Sequence, residues 1–201
     1  MAETTPGRRE RKKAQTRQAL ADAALRLFTE RGFDNVGVRE VAEAADVSLS
    51  TLFKHFPSKE ALVFDLDADV ESALVAAVRD RAPGQSALHA LRDHMVHTHA
   101  AVRADDPFFV LVDSTPALRD YARHMWTRHE KALAATLAEA TGLAPDDLAV
   151  TGLARFALEA RSLAHASDDP ARAMGDLFAL LEQGWGATAL ARQGDHTGRD
   201  G

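Results

Sequence analysis

Cysteine is missing from this 201-residue chain. Its absence excludes disulfides and thiolate-bound metal, and it fits a reducing compartment. Long apolar runs are missing too: no stretch approaches the roughly 18 consecutive apolar residues that a membrane span needs. The opening MAETTPGRRERKKAQ carries arginine and lysine with no apolar run behind them, which is not the pattern of a secretory leader. The expectation is a soluble protein of the cytoplasm. Catalytic signatures are also absent. An enzyme needs a nucleophile with a base, a glycine loop that cradles phosphate, or a metal cluster, and none can be found. The chain is expected to be no enzyme and to hold no cofactor and no metal; an all-helical enzyme is kept only as an alternative. His94 and His97 have a spacing that two metal ligands could use, but no carboxylate stands at a diagnostic distance in sequence.

What is present is helix-forming sequence. At 46% hydrophobic the chain can bury a core, and its length suits one large domain or a small one joined to a larger. The net charge of −6 hides a split: residues 1–60 hold 11 Lys+Arg against 9 Asp+Glu, whereas residues 61–201 hold 13 against 21. Residues 1–17 alone hold 6 basic and 2 acidic. An acidic protein with one basic end suits either a polyanion partner at that end or a solubilising tail.

Apolar residues recur at helical spacing along the whole chain, and no strand pattern stands out, so the fold class is all-α with about nine helices. Arg8–Arg31 carries the stripe Leu20, Ala21, Ala24, Leu25 and Phe28, and Gly32 stands where a helix end favours glycine. A short helix covers about 38–45. Ser48 can cap another, about 49–55, which Pro57 stops. Ser58 opens a fourth helix reading to about 81. Further helices read as about 85–104, Pro116 to Thr141, Pro145 to about Ser167 and Pro170 to about Ala191, with a short apolar piece at 107–114. The tail after 191 carries no helix pattern. Gly184 and Gly186, inside the last helix, are small enough to admit a partner helix or are simply tolerated.

Two short helices joined by a three- or four-residue turn form a helix-turn-helix, whose second helix fits the DNA major groove. The crossing needs small residues, which Ala42, Ala44 and Ala45 supply. It needs apolar anchors, which Val47, Leu52 and Phe56 supply. The outward face must be polar or basic, and Ser48, Ser50, Thr51, Lys54 and His55 fit. Base contacts fall to Leu49, Ser50 and Phe53; Thr51, Lys54 and Lys59 lie nearer phosphates. Arg8, Arg9, Arg11, Lys12 and Lys13 form a basic arm, and Arg17 and Arg39 extend the basic set.

The run GFDNVGVREVAEAADVSLSTLFKHFPSKEAL resembles the DNA-binding domain of tetracycline-repressor (TetR) family regulators. The basic start and the Leu27-Phe28 before Gly32-Phe33 share in the resemblance, which covers about residues 11–70. Three positions depart from the family pattern. Gly37 stands where threonine usually caps and touches phosphate, Asp46 where glycine usually turns, and Phe53 where tyrosine usually donates to phosphate. Asp46 tolerates a left-handed backbone better than most residues.

The resemblance implies this domain order: a basic arm at 1–10, the DNA-binding domain at 11–70 with its helix-turn-helix at about 37–56, a ligand-binding and dimerisation domain at 71–191, and a flexible tail at 192–201. It implies a repressor that binds a palindromic double-stranded DNA operator as a homodimer, through about 146–166 and 170–191, and is released by a small-molecule effector. An activator, or an architectural DNA-binding protein without an effector, is the alternative. Candidate effector contacts are Phe108, Phe109, Met125, Trp126, His129 and Phe156, with Asp113 and Glu159 as partners for a cation. Each reads equally as core or surface.

Overall fold

The computed structural model describes residues 7–99 and 106–183. The first residues of the arm, the end of the fifth helix beyond 99, Gly184, Gly186, the end of the last helix and the tail lie outside the described residues. Among those described there are nine α-helices, one 3₁₀ turn and no strand. The helices are α1 (Arg8–Arg31), α2 (Val38–Ala44), α3 (Leu49–His55), α4 (Asp67–Arg79), α5 (Ala87–His99), α6 (Pro107–Ser114), α7 (Pro116–Thr141), α8 (Leu148–His165) and α9 (Pro170–Gln183), and the 3₁₀ turn is Glu60–Leu62. No described helix is long and apolar enough to cross a membrane.

The chain falls into two compact units: Met1–Ala68 with Asp105–His124, and Asp69–Ala104 with Met125–Gly201. In the first unit α1 buries Leu20, Ala21, Ala24 and Phe28 of the stripe that the periodicity marks, with Ala23 and Leu27 besides, while Leu25 is half-buried. Gly32 ends it at φ 85°, a left-handed backbone that favours glycine, and its N–H donates to Phe28 O at 2.9 Å. Phe33 then turns its ring edge-on to Phe28, centroids 5.0 Å apart. The apolar piece at 107–114 is a helix, α6, because Asp106 accepts from the N–H of Phe108 and Pro107 supplies the first turn. It packs against α1.

Residues 58–81 do not form the single helix that Ser58 suggests. Ser58 Oγ does accept from Ala61 N–H, but only a 3₁₀ turn follows, and the helix restarts at Asp67. The cause is burial. Ala61, Leu62, Val63 and Phe64 are all buried in succession, which a helix with one apolar face cannot provide. The start of α8 also differs. Pro145 lies before the helix, and Asp147 caps it by accepting from Ala149 N–H at 2.8 Å.

The second unit packs Leu74 and Val78 of α4, Leu91 and Met95 of α5, Leu133 and Leu137 of α7, and Met174 and Phe178 of α9 around the alanine face of α8. Ala154, Ala157, Ala160 and Ala164 of α8 are all buried, so α9 can approach closely; α9 packs on both α5 and α8. Each large apolar side chain taken fully out of water stabilises by about 1.5–3 kcal/mol, so the few big residues carry most of this core.

Candidate nucleic-acid interface

The site begins at the junction of α2 and α3. Val41 and Ala42 bury one side of α2; Leu52 and the following Phe56 bury one side of α3. Between them Asp46 adopts φ 52°, so aspartate fills the left-handed turn position. Val47 N–H then donates to Ala42 O at 2.9 Å and closes the connection. Ser48 caps α3, its Oγ accepting from Thr51 N–H at 3.2 Å and lying 2.9 Å from both Ser50 Oγ and Thr51 Oγ1. The outward side of α3 is left to Ser50, Phe53 and Lys54, all exposed, with Leu49, Thr51 and His55 half-buried beside them. A shallow hollow of about 340 Å³ lies against Leu49, walled by Arg39, Ala42, Glu43 and Val47.

Basic groups surround this face in two different states. Arg8, Arg9, Arg11, Lys12 and Lys13 are exposed along the first turns of α1, and Arg39 is exposed on α2. Arg17, half-buried, is engaged by the protein itself. Its Nε pairs with Asp65 Oδ1 at 2.6 Å, Nη1 donates to His55 O at 3.0 Å, Nη2 donates to Asp65 O at 2.8 Å, and the guanidinium lies 4.4 Å from the Phe56 ring centre. It braces the end of α3 against the segment that leads into α4. Lys59 is committed likewise: Nζ donates to Phe33 O at 2.5 Å and sits 4.1 Å from the Phe33 ring centre.

Gly37 caps α2 with no side chain of its own, but its N–H donates to Glu40 Oε1 at 2.9 Å. Arg31 pairs with the other carboxyl oxygen at 2.7 Å. The Gly37 N–H, then Arg31, hold the Glu40 carboxyl below its usual range. Glu40 thus supplies the acidic half of a capping box, a role legible in the spacing Gly37-x-x-Glu40 but not assigned from it. The pKa of His55 is lowered too: burial, then the charges of Arg17 and Lys13, disfavour its protonation.

The candidate effector residues are spread. In the first unit Phe108 packs its ring edge against Phe109 and Phe64, and Phe64 stacks on Tyr121. Asp113 is exposed, its backbone O accepting from Arg119. In the second unit Met125 and His129 are buried, and His129 meets the Trp126 ring edge-on at 4.8 Å and Glu71 at 3.8 Å. Arg161, which sequence patterning did not single out, lies 3.8 Å from the Trp126 ring centre. An arginine one turn from the apolar positions of α8 carried no local signal of that pairing. Phe156 and Glu159 are exposed on α8. Among the described residues no group of three His, Asp or Glu could hold a metal ion.

Residues 20–66 match the family described as bacterial regulatory proteins, tetR family. The chain is 37% identical over 86 residues to the HTH-type transcriptional regulator TcmR of Streptomyces glaucescens, covering 43% of this chain and 38% of that protein. It is 41% identical over 58 residues to the HTH-type transcriptional regulator RutR of Escherichia coli, covering 29% of this chain and 27% of that protein. The chain therefore spans well under half the length of these relatives. Two solved structures share the fold over most of the chain: Salmonella enterica GusR (23% identity, TM-score 0.54, 84% of this chain and 94% of that one) and Thermus thermophilus FadR in complex with lauroyl-CoA (24%, 0.53, 84% and 94%).

Proposed function

We propose a function from one premise: the chain belongs to the tetR family of bacterial regulatory proteins, by the match over residues 20–66. It is a DNA-binding transcriptional regulator of the cytoplasm. As a homodimer it binds a palindromic operator, represses, and is released by a small-molecule effector. One observation carries the DNA-binding part. The face of α3 formed by Ser50, Phe53 and Lys54 is exposed while its opposite face is anchored by buried Leu52 and Phe56. A helix of seven residues presented so rigidly beside an exposed basic arm suits the major groove. Affinity then comes mostly from the arm and Lys54 on phosphates, with Arg17 and Lys59 acting as braces behind them.

The dimer reading for about 146–166 and 170–191 draws support from α8. Leu148, Phe156 and Leu163 recur along one side of that helix and are 85%, 59% and 57% exposed, an apolar stripe that a second copy would cover. The effector site is best supported around Trp126, His129 and Arg161, an aromatic face with a cation and a buried imidazole. An effector releases DNA only if it binds the released conformer more tightly. The chain passes from the first unit to the second at Ala68–Asp69, within α4, which we take as the lever.

The test is fluorescence anisotropy of the purified protein on its upstream DNA, across a salt series and with a ligand panel. Selective binding is expected, with log affinity falling against log salt by about 0.9 per phosphate neutralised. Absence of any sequence preference would sink the regulator reading. Selective binding that no effector alters would favour the architectural alternative.

A further inference from the structure

The outward side of α3 carries few groups that read base edges by paired hydrogen bonds. Its seven residues, LSTLFKH, include no arginine, asparagine or glutamine, the side chains that pair with guanine and adenine edges in bidentate fashion. The hydroxyls are partly spent: Ser50 Oγ and Thr51 Oγ1 each lie 2.9 Å from Ser48 Oγ in the cap. Lys54 is a point charge at the end of a flexible stem, suited to phosphate. What remains at the centre is Leu49 and Phe53, four residues apart and so on one side of the helix. Phe53 is 49% exposed. Leu49 stands over the hollow whose walls include Ala42 and Val47.

An apolar surface in the major groove can gain only from an apolar group there. Base pairs offer one sizeable apolar group, the C5-methyl of thymine; the other major-groove groups are hydrogen-bond donors and acceptors and the small C5–H of cytosine. Covering a donor or acceptor with Phe53 would strand it without a partner, at a cost, so the same ring that favours thymine also rejects guanine and cytosine. We infer that α3 reads thymine methyl groups through Leu49 and Phe53, so that each operator half-site carries thymines at the positions these two side chains meet. The inference rests on the DNA-binding reading above and names the base chemistry that it uses.

The experiment takes the duplex that the full-length protein selects from a random pool and replaces its thymines one at a time with deoxyuridine, which lacks only the methyl group. Burial of one methyl corresponds to about fourfold in affinity. Substituting a contacted thymine in both half-sites should therefore weaken binding about fifteenfold. The ratio of affinities for the thymine and uracil duplexes is then measured for Phe53→Ala and Leu49→Ala. It should fall to about one at the position that each residue covers. Because the ratio compares two DNAs on one protein, a loss of folding shifts both affinities together and leaves it unchanged. Phe53→Tyr, which keeps the ring, should keep the ratio. Selective binding with a ratio near one at every position in the wild-type protein would overturn the inference and leave the regulator reading standing. A ratio that survives in both alanine variants would overturn it too. Failure to select any sequence would overturn both readings.

Discussion

In the first unit the bonds that join distant parts of the chain are polar: Arg17 to His55 and Asp65, Lys59 to Phe33, Arg31 to Glu40. In the second unit the polar links run between side chains on partly exposed faces, His89 and Arg92 to Glu182 and Arg155 to Glu130, around a core of apolar contact. Among the described residues sixteen form its core and six of them are alanine, so close helix approach shapes it together with larger side chains. The difference follows from what each unit has to present. The two seven-residue helices α2 and α3 have little apolar surface of their own to bury, and directional bonds to backbone oxygens help hold them in register. The helices of the second unit bury apolar stripes against one another, and their ion pairs lie on partly exposed faces beside that core.

The comparison breaks most visibly in the second unit. Phe178 is fully buried on α9 and is the largest of the described buried side chains in that core. Phe178→Ala should cost about 3–5 kcal/mol, the transfer loss plus a cavity that the surrounding alanines cannot fill. Urea unfolding followed by helical circular dichroism would register it. A loss under about 1 kcal/mol would mean that the alanine face itself holds the unit together.

The corresponding change in the first unit is Arg17→Met, which keeps the bulk over Phe56 and removes three polar contacts. Asp65 is more buried than Arg17, so the loss should be set mainly by the charge partner that its carboxylate gives up. Because Arg17 is itself partly exposed, solvent screening lowers the cost to about 2 kcal/mol. The salt dependence of DNA binding separates this role from a phosphate contact. Arg17→Met should weaken binding with the slope unchanged, whereas Arg9→Ala should reduce the slope by about 0.9. A reduced slope for Arg17→Met would return Arg17 to the interface.

These two variants also show where sequence was sufficient. Most of the stripe of α1, the Gly32 end, the Ser48 cap and the left-handed Asp46 are set by neighbours within four or five residues, and can be read from the chain. The commitment of Arg17 and Lys59 could not be read. Their partners lie 48 and 26 residues away, and a basic residue near a basic arm looks like part of that arm. The break in 58–81 was hidden for a related reason. Ala61–Phe64 look like the apolar start of a helix until packing from several sides buries all four. The candidate effector residues are the extreme case, since Trp126 and Arg161 meet only through the packing of α7 on α8.

A smaller effect is expected at Gly37, where the first unit lacks a cap hydroxyl. A Cβ added there would meet nothing closer than Glu40 Oε1 at 3.8 Å, and the backbone is extended, as a threonine cap requires. Gly37→Thr should therefore stabilise by about 0.5–1 kcal/mol, through the cap bond and through a less flexible unfolded chain. It should also tighten DNA binding if the hydroxyl reaches a phosphate. Higher stability with unchanged affinity would show that α2 contributes rigidity alone.

The smallest effect is a pH dependence at His55. Burial first, and then Arg17 and Lys13, hold its pKa below the ordinary 6.5, so the folded chain resists protonating it. The unfolded chain takes up that proton more readily. The resulting stability is fully present above pH 6.5 and is lost as pH falls from there through the lower folded pKa. His55→Gln should remove this part of the slope of stability against pH while leaving the region above pH 7 nearly unchanged. Bound DNA should act against the same slope. The carbonyl of His55 accepts from Arg17 at the end of α3, and a phosphate near that end would offset the charges of Arg17 and Lys13. Stability measured between pH 5 and 7 should therefore fall less steeply in the complex than in the free protein. An equal slope in both would place His55 away from the phosphates, on the braced side of the helix.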